Sequence, residues 1–192
     1  MDRTVWGKER TTGFCNDCGN VEIITSPHTD LWQKTYYGFC MDNAAKILTD
    51  TDKLFFTFSV YAEFDYAVRF DQCGVIVYQD RENWIKASVE YEPEGCSKLG
   101  SVATKDGYSD WATTDIPNPV KNMYYRISRR NSDFKIENSF DGVEFHQMRI
   151  CHLNHADEKV PFGVYACSPG ESSFKAKFSQ TKITECLWKP EE

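Results

Sequence analysis

The chain has 192 residues, 41% of them hydrophobic and 27% charged, which is enough apolar side chain for a core and too much for a disordered segment. Its 22 basic and 29 acidic residues leave a net charge of −7. That balance argues against nucleic-acid or anionic-membrane partners, which need a basic patch to displace phosphate counterions. No apolar run approaches the ~20 residues that span a bilayer. The first ten residues carry charges where a secretory leader is apolar, so a cytoplasmic protein is expected. At this length one domain over 1–192 is expected.

In chain order, the first candidate is Cys15-Asn16-Asp17-Cys18, a CxxC spacing ahead of the strand-like Val21-Glu22-Ile23-Ile24. A structural zinc needs four ligands, and no second CxxC exists, although Cys151-His152-Leu153-Asn154-His155 holds further donor types. Zinc at Cys15 and Cys18 is therefore disfavoured, and free thiols are expected. Met41 to Lys53 has helical propensity but is too short to anchor a helical domain. From Leu54 to Asp65 the period becomes two, with Phe56, Phe58, Val60, Ala62 and Phe64 on one face, the pattern of a strand buried on one side. Trp84 to Glu92 repeats it, with Ile85, Ala87, Val89 and Tyr91 opposite Trp84, Lys86, Ser88, Glu90 and Glu92.

A turn at Asp106-Gly107 leads to Tyr108-Ser109-Asp110-Trp111, read as a loop. Met123 to Arg130 alternates again, as do Phe134 to Phe140, Val160 to Ala166 and Phe174 to Phe178, and Asp141-Gly142 marks a hairpin. Short strands broken by turns every 8–12 residues predict an all-β, two-sheet antiparallel sandwich or jelly roll.

The polar-aromatic face of the Trp84 strand suggests a binding surface. An indole plane beside a donor and an acceptor suits a sugar, which offers C–H groups to the ring and hydroxyls to the polar neighbours. Trp111 offers a second plate, and Trp32, Tyr36 and Tyr37 a third. The plainer alternative is that these rings cover a sheet edge or pack beneath a loop. Catalytic patterns are weak: Glu63-Phe64-Asp65 begins a glucanase-type carboxylate run that Ala67 and Val68 do not complete, and Glu90-Tyr91-Glu92-Pro93-Glu94 is interrupted by proline. No nucleophile elbow or phosphate-binding glycine loop is present. Asp65, Asp71, Asp106 and Asp110 lie near expected loops without a calcium-binding spacing, so calcium is left open and no cofactor is expected.

The segments Asp30 to Phe39, Phe70 to Val75, Glu82 to Glu90, Tyr108 to Trp111, Tyr125 to Ile127 and Val164 to Pro169 resemble, in collinear order from about Thr29 to Phe178, the regulation-of-enolase-protein-like domain of unknown function. The resemblance implies a concanavalin A-like lectin/glucanase jelly roll with one concave sheet. It also implies that Trp32, Tyr36, Asp71, Gln72, Trp84, Lys86, Glu90, Trp111, Arg126 and Tyr165 could line that sheet. The expected function is non-catalytic recognition of carbohydrate. Trp84 and Trp111 would stack on the sugar, Lys86 and Arg126 donate, and Glu90, Asp71 and Gln72 accept. The alternatives are a protein-interaction module regulating a metabolic enzyme such as enolase and, further, a glycoside hydrolase using Glu90 and a second carboxylate.

Overall fold

A computed structural model describes residues 13–15, 20–154, 156 and 159–189; Cys18 and His155 lie outside the described residues. The first strands are β1 (Gly13–Cys15), β2 (Val21–Ile24), β3 (Leu31–Gln33), β4 (Cys40–Asp42) and β5 (Ala45–Thr49). Then come β6 (Phe55–Phe64), β7 (Gln72–Asp80), β8 (Asn83–Glu90), β9 (Cys96–Lys105) and β10 (Tyr108–Pro117). The last five are β11 (Asn122–Arg130), β12 (Asp133–Ser139), β13 (His146–His152), β14 (Phe162–Cys167) and β15 (Lys175–Thr184). No helix among the described residues is long and apolar enough to cross a membrane.

Two antiparallel sheets form a concanavalin A-like jelly-roll sandwich. One has seven strands in the order β1-β2-β15-β6-β11-β12-β13, the other six in the order β10-β9-β8-β7-β14-β5. Strands β3 and β4 pair only with each other, as a small separate hairpin. The main core lies between the sheets. Phe56, Phe58, Val60 and Ala62 of β6 meet Val75 and Val77 of β7, Ile85, Ala87 and Val89 of β8, and Val164 of β14, as their alternation requires. The rings of Phe56 and Phe58 pack on Phe162 across the layers at 4.6 and 5.3 Å. Tyr125 bridges the sheets with a polar tie: its hydroxyl accepts the Val89 backbone N–H at 2.8 Å.

The Asp106-Gly107 turn closes the β9–β10 hairpin, with Lys105 opposite Tyr108. Both turn residues have positive φ, 52° and 76°, the conformation a two-residue hairpin of this twist demands. Two expectations change. Tyr108 to Trp111 is the start of the ten-residue strand β10, not a loop. The Met41–Lys53 stretch is strand where helical propensity was noted, because β5 pairs with β14 from Ala45–Ala166 to Thr49–Phe162 and buries Ile47. Sheet pairing overrides local propensity there.

Candidate functional site

Register fixes what the outer face of the six-stranded sheet presents. One row runs Cys167, Gln72, Glu90, Lys98, Asp115, and the next runs Tyr165, Gly74, Ser88, Gly100, Thr113. A third runs Ile76, Lys86, Val102, Trp111. The middle row holds small residues, so it forms a furrow between bulkier rows. Gly100 matters most: a Cβ there would fall 2.7 Å from the Trp111 indole nitrogen, so the indole lies across the sheet because this position lacks a side chain.

The furrow is the floor of a cavity of about 650 Å³. The β3–β4 hairpin walls one side with Trp32, Tyr37, Phe39 and Met41, and the segment before β7 supplies Arg69 and Phe70. Tyr37 packs edge-on to Trp32 at 5.4 Å and stacks on Phe39 at 5.9 Å, so the wall is a connected aromatic panel. The hairpin is held over the sheet by Ser109, whose hydroxyl accepts the Gln33 N–H at 2.9 Å. Lys34 lies 5.0 Å from the centre of the Tyr108 ring.

Gln72 is the hub of the polar floor. Its Oε1 accepts from Lys86 Nζ at 2.9 Å and from the Tyr165 hydroxyl at 3.1 Å. Its Nε2 donates to the Phe70 carbonyl at 3.3 Å and to Glu90 Oε2 at 3.0 Å. All four hydrogen-bonding positions of the amide are used, which fixes its orientation. Lys86 as a whole is only 4% exposed. Its ammonium sits 3.7 Å from Asp30 Oδ1, 5.8 Å from the Trp84 ring centre and 5.5 Å from that of Tyr165, so a carboxylate and two ring faces compensate its burial. At the rim, Arg69 grips Glu92 with two hydrogen bonds of 2.7 and 3.2 Å, and Lys98 pairs with Asp115 at 2.5 Å.

Burial pushes the Glu90 carboxyl up to about 7; Lys86 opposes the rise, while Asp30 and Glu92 add to it. A carboxyl whose folded pKa lies above its unfolded value contributes stability below the unfolded pKa, near 4.5. That contribution is lost as the pH rises to about 7, because the folded state must then hold an ionised group it solvates poorly. Glu90→Gln is therefore expected to raise the melting temperature at pH 8 and to change it little at pH 4. A thermal denaturation series across this range checks it, and a variant no more stable than wild type at pH 8 would contradict it.

Of the residues singled out by sequence, Trp32, Tyr37, Gln72, Lys86, Glu90 and Trp111 line the cavity. Five others do not. Trp84 is 0% exposed, packed among Leu31, Trp32, Ala44, Ile76, Val102, Tyr165 and Cys167, with its indole N–H donating to the Arg81 carbonyl at 3.2 Å. Its ring faces the Lys86 ammonium, 5.8 Å from the ring centre, and is closed off from the cavity by its burial. Tyr165 is equally buried and supports Gln72 from behind. Asp71 is buried in the loop before β7, where Oδ2 accepts the Ala67 and Val68 N–H groups and the Ser172 hydroxyl. Arg126 belongs to the other sheet, bonded to Glu137 at 2.7 Å and lying over Phe145. Tyr36 stands 92% exposed at the hairpin tip with φ of 61°.

Asp30, Phe39, Met41, Arg69, Phe70, Lys98 and Pro169 also line the cavity and were not singled out; Glu92, named only for its strand face and the interrupted carboxylate run, lines it too. Asp30 and Phe39 bound the segment that carried the resemblance, the one sequence signal that pointed at them. Among the described residues, no three His, Cys, Asp or Glu side chains gather as metal ligands do. Cys15 lies in β1; Asp65 pairs with Lys121 at 3.0 Å, Asp110 pairs with Arg149 at 3.0 Å, and Asp106 is in the β9–β10 turn.

Fold and cavity together define a concanavalin A-like sandwich with an aromatic-walled pocket on its six-stranded sheet. The chain belongs to the family described as a protein of unknown function, DUF1349, whose model matches residues 9–186. It is 30% identical over 173 residues to Regulation of enolase protein 1 of Saccharomyces cerevisiae, covering 90% of this chain and 85% of the relative. A functionally unknown protein from Saccharomyces cerevisiae superposes with a TM-score of 0.85 at 28% identity, over 97% of this chain and 98% of that one. A xylan beta-1,4-xylosidase from Bacillus halodurans shares the fold at a TM-score of 0.70 and 14% identity, over 87% of this chain but 33% of the xylosidase.

Proposed function

We propose that the cavity binds a carbohydrate unit. The observation that carries this reading is the Trp111 indole laid across Gly100, 40% exposed, at the end of the row that holds Lys86 and lining the same cavity as the Gln72–Glu90 network. A sugar ring has an apolar C–H face and a hydroxyl rim, and this arrangement meets both. The volume supports a small ligand, since such sites occupy about 300–1,000 Å³. The cytoplasm is the compartment proposed for this activity.

Trp111→Ala is expected to remove glycan-array binding while leaving the fold intact, because the ring lies on the outer side of an edge strand. Affinity should fall at least tenfold, about 1.4 kcal/mol. An array hit unchanged in Trp111→Ala would defeat the reading. Release of reducing ends from a bound oligosaccharide would turn it towards a glycoside hydrolase, with Glu90 as the acid.

A second reading has its own support in the relative named for regulation of enolase. In that reading the aromatic wall receives a protein side chain as a hot spot. Pull-down of purified enolase, lost in Trp111→Ala, is the outcome that favours it.

A further inference from the structure

We propose that the pocket selects an uncharged sugar, with the neutral carboxyl of Glu90 donating a hydrogen bond from Oε1, so that binding weakens as the pH rises above neutrality. This inference rests on the carbohydrate reading and specifies its ligand and its control.

The geometry assigns the proton. Gln72 Nε2 must be the donor towards Glu90, because its Oε1 is held by the Lys86 ammonium and the Tyr165 hydroxyl and its other N–H meets a carbonyl. Glu90 Oε2 is therefore an acceptor, and a proton on this carboxyl resides on Oε1. That oxygen has no hydrogen-bond partner among the described residues, and the residue lines the cavity.

The surrounding charges are already matched. On β8 itself Lys86 faces Gln72 and Asp30. From β9, Lys98 lies opposite Glu90 but pairs with Asp115 of β10. From the flanking loops, Arg69 is bound to Glu92. From β14 come Tyr165 and Cys167, whose hydroxyl and thiol burial holds protonated. Among the described residues, each cation lining the cavity already has an acidic partner, so a ligand carboxylate would compete with Asp30, Glu92 and Asp115. A ligand ammonium would require Glu90 to ionise in a site that disfavours it. An uncharged unit offering an acceptor oxygen fits the donor that remains, and by covering the site it excludes water and favours the neutral carboxyl further.

The test is a panel of neutral, uronate-bearing and amino-sugar oligosaccharides, titrated against the full chain at pH 6 and pH 8 and read by tryptophan fluorescence. With Glu90 titrating at about 7, the donor form falls from about nine molecules in ten to about one in ten. Neutral sugars should therefore bind about tenfold more weakly at pH 8. Glu90→Gln, whose amide donates at either pH, should bring that ratio to about one. Neutral sugars bound equally at both pH values overturn this inference alone, as does a Glu90→Gln variant that keeps the pH ratio or loses pH 6 binding. Binding confined to uronates or amino sugars also overturns it. No binding by folded wild-type protein at either pH overturns the carbohydrate reading and this inference with it.

Discussion

Trp84→Ala should lower the unfolding free energy by about 3–5 kcal/mol, the range for emptying a buried indole. Chemical denaturation should show a reduced midpoint with an unchanged slope. The effect is large because Trp84 is the central ring of a second apolar layer, between the outer face of the six-stranded sheet and the hairpin that covers it. Removing the ring also removes one of the two aromatic faces beside the Lys86 ammonium. Replacement with Phe, which retains a ring but loses the N–H to Arg81, should cost less than Ala. A loss below about 1 kcal/mol for Ala would show that the outer layer is loosely seated.

Gly74→Ala should be the next most damaging change. A Cβ at this position would lie on the Ala87 carbonyl oxygen and within 3.1 Å of Ser88 Cα, and both obstacles are backbone of the neighbouring central strand. Neither can rotate away, so β7 and β8 must part. Overpacking of this kind costs about 1–3 kcal/mol and more where backbone must move. Gly74 also pairs with Tyr165 in register, and a displaced β7 would carry Gln72 with it, away from the Tyr165 hydroxyl it bonds. Lost stability should therefore come with lost order in the Gln72 network. Gly95→Ala is the comparison: its φ of 84° is strained for alanine, but its surroundings are empty, so about 1 kcal/mol is expected from the backbone alone. Thermal denaturation of the two variants side by side gives the ranking, and equal losses would contradict the steric argument.

The sandwich was readable wherever apolar and polar side chains alternate along a strand. Phe56 to Phe64 announces β6, and Ile85 to Val89 announces β8, because side-chain type alternates in both, although β8 is buried along nearly its whole length. Strand β7 is hidden, since Gln72 to Val77 is buried on both faces and no period of two remains. The same physics explains the reading of Trp84. Alternation placed it opposite Ile85 but could not say what lies above it. What lies above is a hairpin some fifty residues earlier in the chain, and its contact with the sheet is a tertiary fact. Lys86 and Glu90 were placed by the same alternation; both line the cavity, Lys86 nearly buried beside Asp30. Arg126 alternates as cleanly as Lys86, yet its strand belongs to the opposite sheet. A single strand carries no mark of which layer it joins.

The β3–β4 hairpin forms its own two-stranded sheet, tied to the sandwich by side-chain contacts and a few hydrogen bonds rather than by a shared ladder. Its opening would therefore break no backbone ladder of the two main sheets. Its amides need not wait for global unfolding to exchange with solvent, whereas those of β7 and β8 do. An occupant touching Trp32, Tyr37 and Phe39 would draw part of its binding energy from holding the hairpin down. Protection from hydrogen exchange would then rise in residues 31–42 before anything changed in the core.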